Sequence, residues 1–214
     1  MIITLLCSDP LHPVNEHLLR WIEINRNAHS ISLVRTKNDL EGGDILFMIS
    51  CSEIISSAHR AAYRTNLVLH ASALPNGRGW SPHIWQIIQG ADEVTLSLLE
   101  AEDAVDSGRI WHQITLHVPN HALWDEINEI LFNAEIELID FAVKELNTII
   151  PVEQDKKVEP TYFPRRKPSD SKINPEMSIA SQFNLIRTCD PQRFPAYFDL
   201  NGYRFKLVLE KVNN

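Results

Sequence analysis

The chain has 214 residues, 44% of them hydrophobic and 22% charged, with a formal net charge of −8. That is enough for one sizeable core, or a main domain with a small appendage. The acidic balance argues against nonspecific nucleic-acid binding, and the one cationic cluster, Arg165-Arg166-Lys167, reads as a solvated loop.

Cys7, Cys51 and Cys189 are scattered and odd in number, which argues against a disulfide framework, and no CxxC spacing suggests structural zinc. Asp9 and Pro10 end the opening apolar run too early for a signal peptide. No run approaches the ~18 apolar residues of a membrane span. The expectation is a cytoplasmic protein that uses no metal.

Ile2 to Cys7 has no polar alternation and predicts a fully buried strand, broken by Ser8-Asp9-Pro10. A helix starting at Pro13 or Asn15 comes next, with Leu18, Leu19, Ile22 and Ile24 on its apolar face. Ile31–Val34 and Asp44–Ser50 predict two more strands, and Leu67–Leu69 a fourth that ends on His70. The spacing fits an α/β fold with an open, mostly parallel sheet and flanking crossover helices.

Beyond His70 lie a small-residue loop, a Gly-flanked Arg78 and a Pro-initiated amphipathic segment from Pro82. Val94 to Leu99 is a further strand, leading into an acidic loop that closes at Asp106-Ser107-Gly108. Ile110–Val118 alternates, with Ile110, His112, Ile114, Leu116 and Val118 inward and Trp111 outward. It is expected to pair antiparallel with Val94–Leu99. Asn120 is the expected cap of a long helix carrying an apolar stripe from Leu123 to Ile149.

Pro151 ends that helix, and the charged, proline-rich stretch 151–176 is expected to be an extended connector. A short helix over Met177–Cys189 and a hairpin of Ala196–Leu200 with Tyr203–Val212 across Asn201-Gly202 complete the chain. The expected organisation is a core at 1–150, the connector at 151–176, and a small helix-and-hairpin subdomain at 177–214.

Function concentrates in Asn66–Gln113, which puts a histidine and an aspartate about 36 residues apart at two strand ends, where open α/β sheets place their chemistry. Taken alone, His70 is also what a backbone-bonded strand-end histidine looks like, and Asp106 a turn carboxylate before Gly108.

The order Leu69-His70-Ala71-Ser72-Ala73-Leu74-Pro75, then Arg78-Gly79, then Asp106-Ser107-Gly108-Arg109-Ile110, resembles the 10-formyltetrahydrofolate-dependent formyltransferases. Thr161 to Arg166 with Asp170, then Ile186-Arg187 with Asp190 and Pro195-Ala196, resembles the region C-terminal to that core in the tRNA and sugar enzymes of the family. Val68 departs from it, because the family carries its catalytic asparagine two residues before the histidine. Asn66, four before, lies about two strand rises (~6–7 Å) from position 68.

The resemblance implies attack of an amine on the N10-formyl carbon through a tetrahedral intermediate. His70 would donate to its oxyanion, Asp106 would orient the ring and take the amine proton, and Ser72 or a backbone N–H would replace the missing donor. It further implies 10-formyltetrahydrofolate held by Ile54, Ile55, Ser72, Ala73, Leu74, Pro75 and Val105, with the acceptor bordered by Arg78, Trp80, Tyr162 and Arg165. Trp85 is expected in the core.

The segment Gly79-Trp80-Ser81-Pro82-His83-Ile84-Trp85-Gln86 is most similar to the branch that formylates amino sugars on nucleotide carriers. The acceptor expected is thus a nucleotide-linked amino sugar, with no nucleic-acid or membrane partner; a homodimer is open to it. The alternatives are a carrier-bound amino acid as acceptor, or a catalytically silent folate-binding domain.

Overall fold

The computed structural model describes residues 1–212. In chain order the strands and helices are β1 (Ile2–Leu6), α1 (Val14–Asn25), β2 (Ser30–Val34), β3 (Gly43–Met48), α2 (Ser57–Arg60), β4 (Tyr63–His70), β5 (Arg78–Gly79), α3 (Pro82–Ile88), β6 (Glu93–Glu100), β7 (Ile110–His117), α4 (Trp124–Glu145), β8 (Tyr162–Phe163), α5 (Ile179–Arg187), β9 (Ala196–Leu200) and β10 (Tyr203–Leu207).

Six strands form one sheet in the order β2-β1-β3-β4-β6-β7. Every neighbouring pair up to β4 is parallel, and β6 runs antiparallel to both β4 and β7. The apolar runs of β1, β3 and β4 are covered on one face by α1 and α4, through Val14, Leu18 and Trp21 and through Ile127, Leu131, Leu138 and Ala142. The opposite face carries only a small cluster of Leu6, Leu46, Met48, Ile55 and Tyr63, with Val68 and Ala101 packed against it. Strand alternation puts Val68 and His70 on this thinly covered face.

Several local expectations shift. In α1 the buried face is Val14, Leu18 and Trp21 rather than Leu19 and Ile24, which are exposed. The α1 face turns toward α4, where the indole of Trp21 donates to Asp140 at 2.6 Å. The long helix starts at Trp124 rather than behind Asn120, with Glu126 accepting from the Leu123 N–H at 2.8 Å. Trp111, expected outward, is buried, because the β6–β7 register slips between Leu98 and Leu99 and the bulge turns it into the core.

The stretch 151–176 is extended but tied down. Val152 bridges Ile110, and Tyr162–Phe163 pairs in parallel with Arg78–Gly79. β9 and β10 form the hairpin across Asn201-Gly202, ending at Leu207. Among the described residues no helix is long and apolar enough to cross a membrane, and no three or more His, Cys, Asp or Glu side chains gather as a metal site would need.

Candidate active site at the end of β4

His70 closes β4 and is buried. Its Nε2 lies 2.8 Å from the Gly77 carbonyl, which can only accept, so this nitrogen carries a proton. Its Nδ1 faces Asp106 Oδ2 at 3.5 Å, with the two side chains 7% and 9% exposed. Once doubly protonated, the ring spans Gly77 O and the carboxylate.

Asp106 reaches His70 by an unexpected route. Because β6 is antiparallel to β4, Glu100 at its end pairs with Leu67, not with His70. The loop 101–109 then folds back over the thinly covered face, fastened by Ala101 N–H to Asn66 O and Glu100 N–H to Arg109 O, both at 2.9 Å. A Cβ on Gly108 would lie 1.9 Å from the Glu100 carbonyl, so only glycine closes this turn. Asp106 adopts φ +52°, a left-handed conformation that aspartate tolerates.

Two further groups hold the carboxylate and its loop. The Gly79 N–H donates to Asp106 Oδ2 at 2.8 Å. Gly79, at φ +99°, would put a Cβ 2.5 Å from the Phe163 carbonyl, so β5–β8 pairing needs glycine here. Gln154 is a site residue that sequence reasoning misses. Its side-chain amide donates to the carbonyls of Asp106 (2.8 Å) and Gly108 (2.9 Å), and its oxygen accepts from Arg78 at 2.7 Å. A lone glutamine three residues past a helix-ending proline carries no local signal of this contact.

The remaining candidates separate by exposure. Ser72 is fully enclosed, its hydroxyl has no hydrogen-bond partner, and it lies against Gly77. Asn66 donates to the Arg60 carbonyl at 3.0 Å, and its own oxygen is buried without a partner, so its amide is engaged away from His70. Ile55, Leu74 and Pro75 are buried, while Ala73 is exposed. Ile54 and Val105 stand 79% and 54% exposed. Their two loops are joined by Arg60, which donates to the Ile55 carbonyl and to Asp103.

On the connector side, Arg78 also approaches the Tyr162 hydroxyl at 3.3 Å, and the exposed Arg165 lies 4.7 Å over the Trp80 ring. Arg78 with Tyr162, and Trp80 with Arg165, thus make two contacts beside the paired β5 and β8, and Arg78 is tied through Gln154 to the loop that carries Val105 and Asp106. Trp85, expected in the core, is only half-buried, because it serves the connector: it stacks on Phe163 and donates to the Pro164 carbonyl at 2.9 Å.

Residues 14–142, more than half of the chain, match the family described as formyl transferase. Methionyl-tRNA formyltransferase of Thermodesulfovibrio yellowstonii is 30% identical over 145 residues, 67% of this chain and 46% of the relative. The chain thus spans about half the length of the curated relatives it matches.

Among solved structures, the methionyl-tRNA formyltransferase of Clostridium thermocellum superposes with a TM-score of 0.84 at 21% identity, covering 100% of this chain and 94% of that one. A sugar N-formyltransferase from a Shewanella species gives 0.74 at 15% identity, covering 100% and 99%. HypX from Aquifex aeolicus, in complex with tetrahydrofolic acid, gives 0.75 at 19% identity over 94% of this chain and 36% of that chain. These three likenesses are of fold.

Proposed function

Because this chain belongs to the formyltransferase family, we propose that it moves a formyl group from 10-formyltetrahydrofolate to the amine of a nucleotide-linked amino sugar. The observation that carries the reading is the enclosed His70–Asp106 pair, held at the end of β4 by Gly79 and Gln154.

The donor would supply an electrophilic formyl carbon, and the residues present suit such a group. Ile54 and Val105 offer exposed apolar surface on two tethered loops, as expected where a flat heterocycle is sandwiched. His70 carries a proton on Nε2 and lends it to the Gly77 carbonyl. A developing oxyanion is a stronger acceptor than that neutral carbonyl and would draw the donation to itself. Asp106 faces Nδ1 of the ring and is the base for the amine proton, which passes to the departing N10 nitrogen as the N10–carbon bond breaks and tetrahydrofolate leaves. Val68 brings no donor, so His70 and main-chain N–H groups carry the stabilisation.

The net charge of −8 and the similarity of Gly79–Gln86 to the branch that formylates amino sugars support a sugar acceptor. The 30% identical methionyl-tRNA formyltransferase favours, as a second reading, an aminoacyl-tRNA. An acceptor panel separates them: the donor is incubated with nucleotide-linked amino sugars, methionyl-tRNA and a carrier-loaded amino acid, and tetrahydrofolate and N-formyl product are measured. Product from amino sugars alone is expected. Product only from methionyl-tRNA or the carrier would transfer the assignment, and folate binding without product from any amine would leave a binding domain.

A further inference from the structure

We propose that Arg60 is a positioning residue for the formyl donor: by bridging the two loops that carry Ile54 and Val105, it sets their spacing and with it the affinity for folate. The proposal rests on the formyl-transfer reading for the identity of the ligand and on the contacts of Arg60 for the rest.

Arg60 closes α2, and its guanidinium donates to both loops at once. Nη1 reaches the Ile55 carbonyl and Nη2 reaches Asp103 Oδ1, each at 2.5 Å. Ile54 immediately precedes the first acceptor. Val105 lies two residues beyond the second and one before Asp106, whose carboxylate takes the Gly79 N–H at 2.8 Å. Each of the two exposed apolar side chains therefore stands beside an Arg60 contact. The first loop is also tied on its far side, where Ser8 Oγ accepts from the Ser52 N–H at 3.1 Å and the Glu53 carboxylate from the Lys37 N–H at 2.7 Å. What Arg60 adds is the distance between the loops.

The arginine is seated by the strand that ends on His70. Alternation along β4 places Asn66 on the same face as Val68 and His70. The Asn66 side-chain amide donates to the Arg60 carbonyl at 3.0 Å, and its main-chain carbonyl accepts from the Ala101 N–H at 2.9 Å, at the root of the second loop. One residue of β4 thus holds both the arginine and the start of the loop that the arginine grips.

Folding stability is a poor explanation for this bridge. The Asp103 side chain is 81% exposed against 12% for Arg60, and an ion pair with one partner so open to water contributes little to stability. Geometry is what it fixes, because the planar guanidinium presents its donors in a rigid fork. A flat ring that touches apolar atoms on both faces needs them about 7–8 Å apart, and a gap wider by roughly 1 Å forfeits up to about half of the attraction on one face. Loop spacing is therefore a direct lever on donor affinity.

The test is calorimetric titration of tetrahydrofolate into the full chain. The parent is expected to bind it saturably. Arg60→Met and Asp103→Ala should each weaken binding, Arg60→Met by about 10-fold, with melting temperatures close to that of the parent. The double variant should bind no more weakly than Arg60→Met, because Asp103 acts only through Arg60. Arg60→Lys, which keeps a charge for Asp103 but loses the fork, should fall between the parent and Arg60→Met. Arg204→Met, which breaks an exposed ion pair on the hairpin, should bind as the parent does. Parental affinity in a folded Arg60→Met or in Asp103→Ala overturns the proposal, as do additive losses in the double variant, and each of these results leaves the formyl-transfer reading intact. If Arg60→Met does not fold, Asp103→Ala decides alone: weaker binding upholds the proposal and parental affinity overturns it. A parent that binds no tetrahydrofolate removes the formyl-transfer reading and the proposal together.

Discussion

Gln154 and Asp106 are 48 residues apart in sequence, yet the Gln154 amide donates to the Asp106 carbonyl at 2.8 Å. The same nitrogen reaches Gly108 O at 2.9 Å, and the amide oxygen takes Arg78 at 2.7 Å. One side chain from the connector thus fixes the turn that aims the carboxylate at His70.

Replacing Gln154 by Ala leaves two carbonyls and Arg78 without this partner. The expected loss is about 1–3 kcal/mol of positioning, seen as a ~10–100-fold fall in kcat with little change in donor affinity. Gln154→Glu keeps the shape but turns an acceptor toward two carbonyls. It should be worse than Gln at neutral pH and recover partly as pH falls and the carboxyl regains a proton. A pH profile of kcat for the three proteins checks this, and an unchanged profile with a mere drop in melting temperature would reduce Gln154 to a structural role.

Val68→Asn tests the gap in the site. Val68 shares a sheet face with His70 and packs against the small cluster around Leu6 and Met48. An amide here would regain the donor that the family motif places at this position, worth up to ~10²-fold in kcat. The same change puts a polar group into an apolar patch at a cost of about 1–3 kcal/mol. Higher turnover with lower stability is expected. Equal or lower turnover in a folded variant would show that the oxyanion is held elsewhere.

How much of this is legible in the sequence depends on how local the cause is. The strand ending on His70 and the Asn201-Gly202 hairpin are written in contiguous residues, as apolar runs and a turn pair. Asp106 is legible as a loop carboxylate, but its route to His70 is not, because strand direction belongs to the β4–β6 pairing. Trp111 is turned inward by a slip of register between two strands, and Arg166 reads as part of a solvated cluster until the fold lays it on Phe194. Gln154 acts across 46 and 48 residues, beyond any local pattern.

Glu135 on α4 gives a prediction on stability. Burial pushes its carboxyl up to about 8, and its Oε2 has no partner. In the unfolded chain the group titrates near 4.3. Below that pH both states are protonated and its contribution is intact. As pH rises toward 8 the unfolded state gives up the proton first, so folding stability falls by up to about 1.4 kcal/mol per pH unit. Glu135→Gln should be more stable than the parent at pH 7–8 and should flatten the urea-unfolding curve of stability against pH between about 5 and 8. Matching slopes for the two proteins would show that Glu135 ionises freely in the fold.

The central claim, that the His70–Asp106 pair performs formyl transfer, is tested most directly by single-turnover transfer from 10-formyltetrahydrofolate to a nucleotide-linked amino sugar. The parent should form the N-formyl sugar and tetrahydrofolate in equal amounts. His70→Ala and Asp106→Asn, with donor affinity retained, should each be slower by ~10²–10⁴-fold. Parental transfer rates in both variants, or no transfer by the parent to any amine, would contradict it.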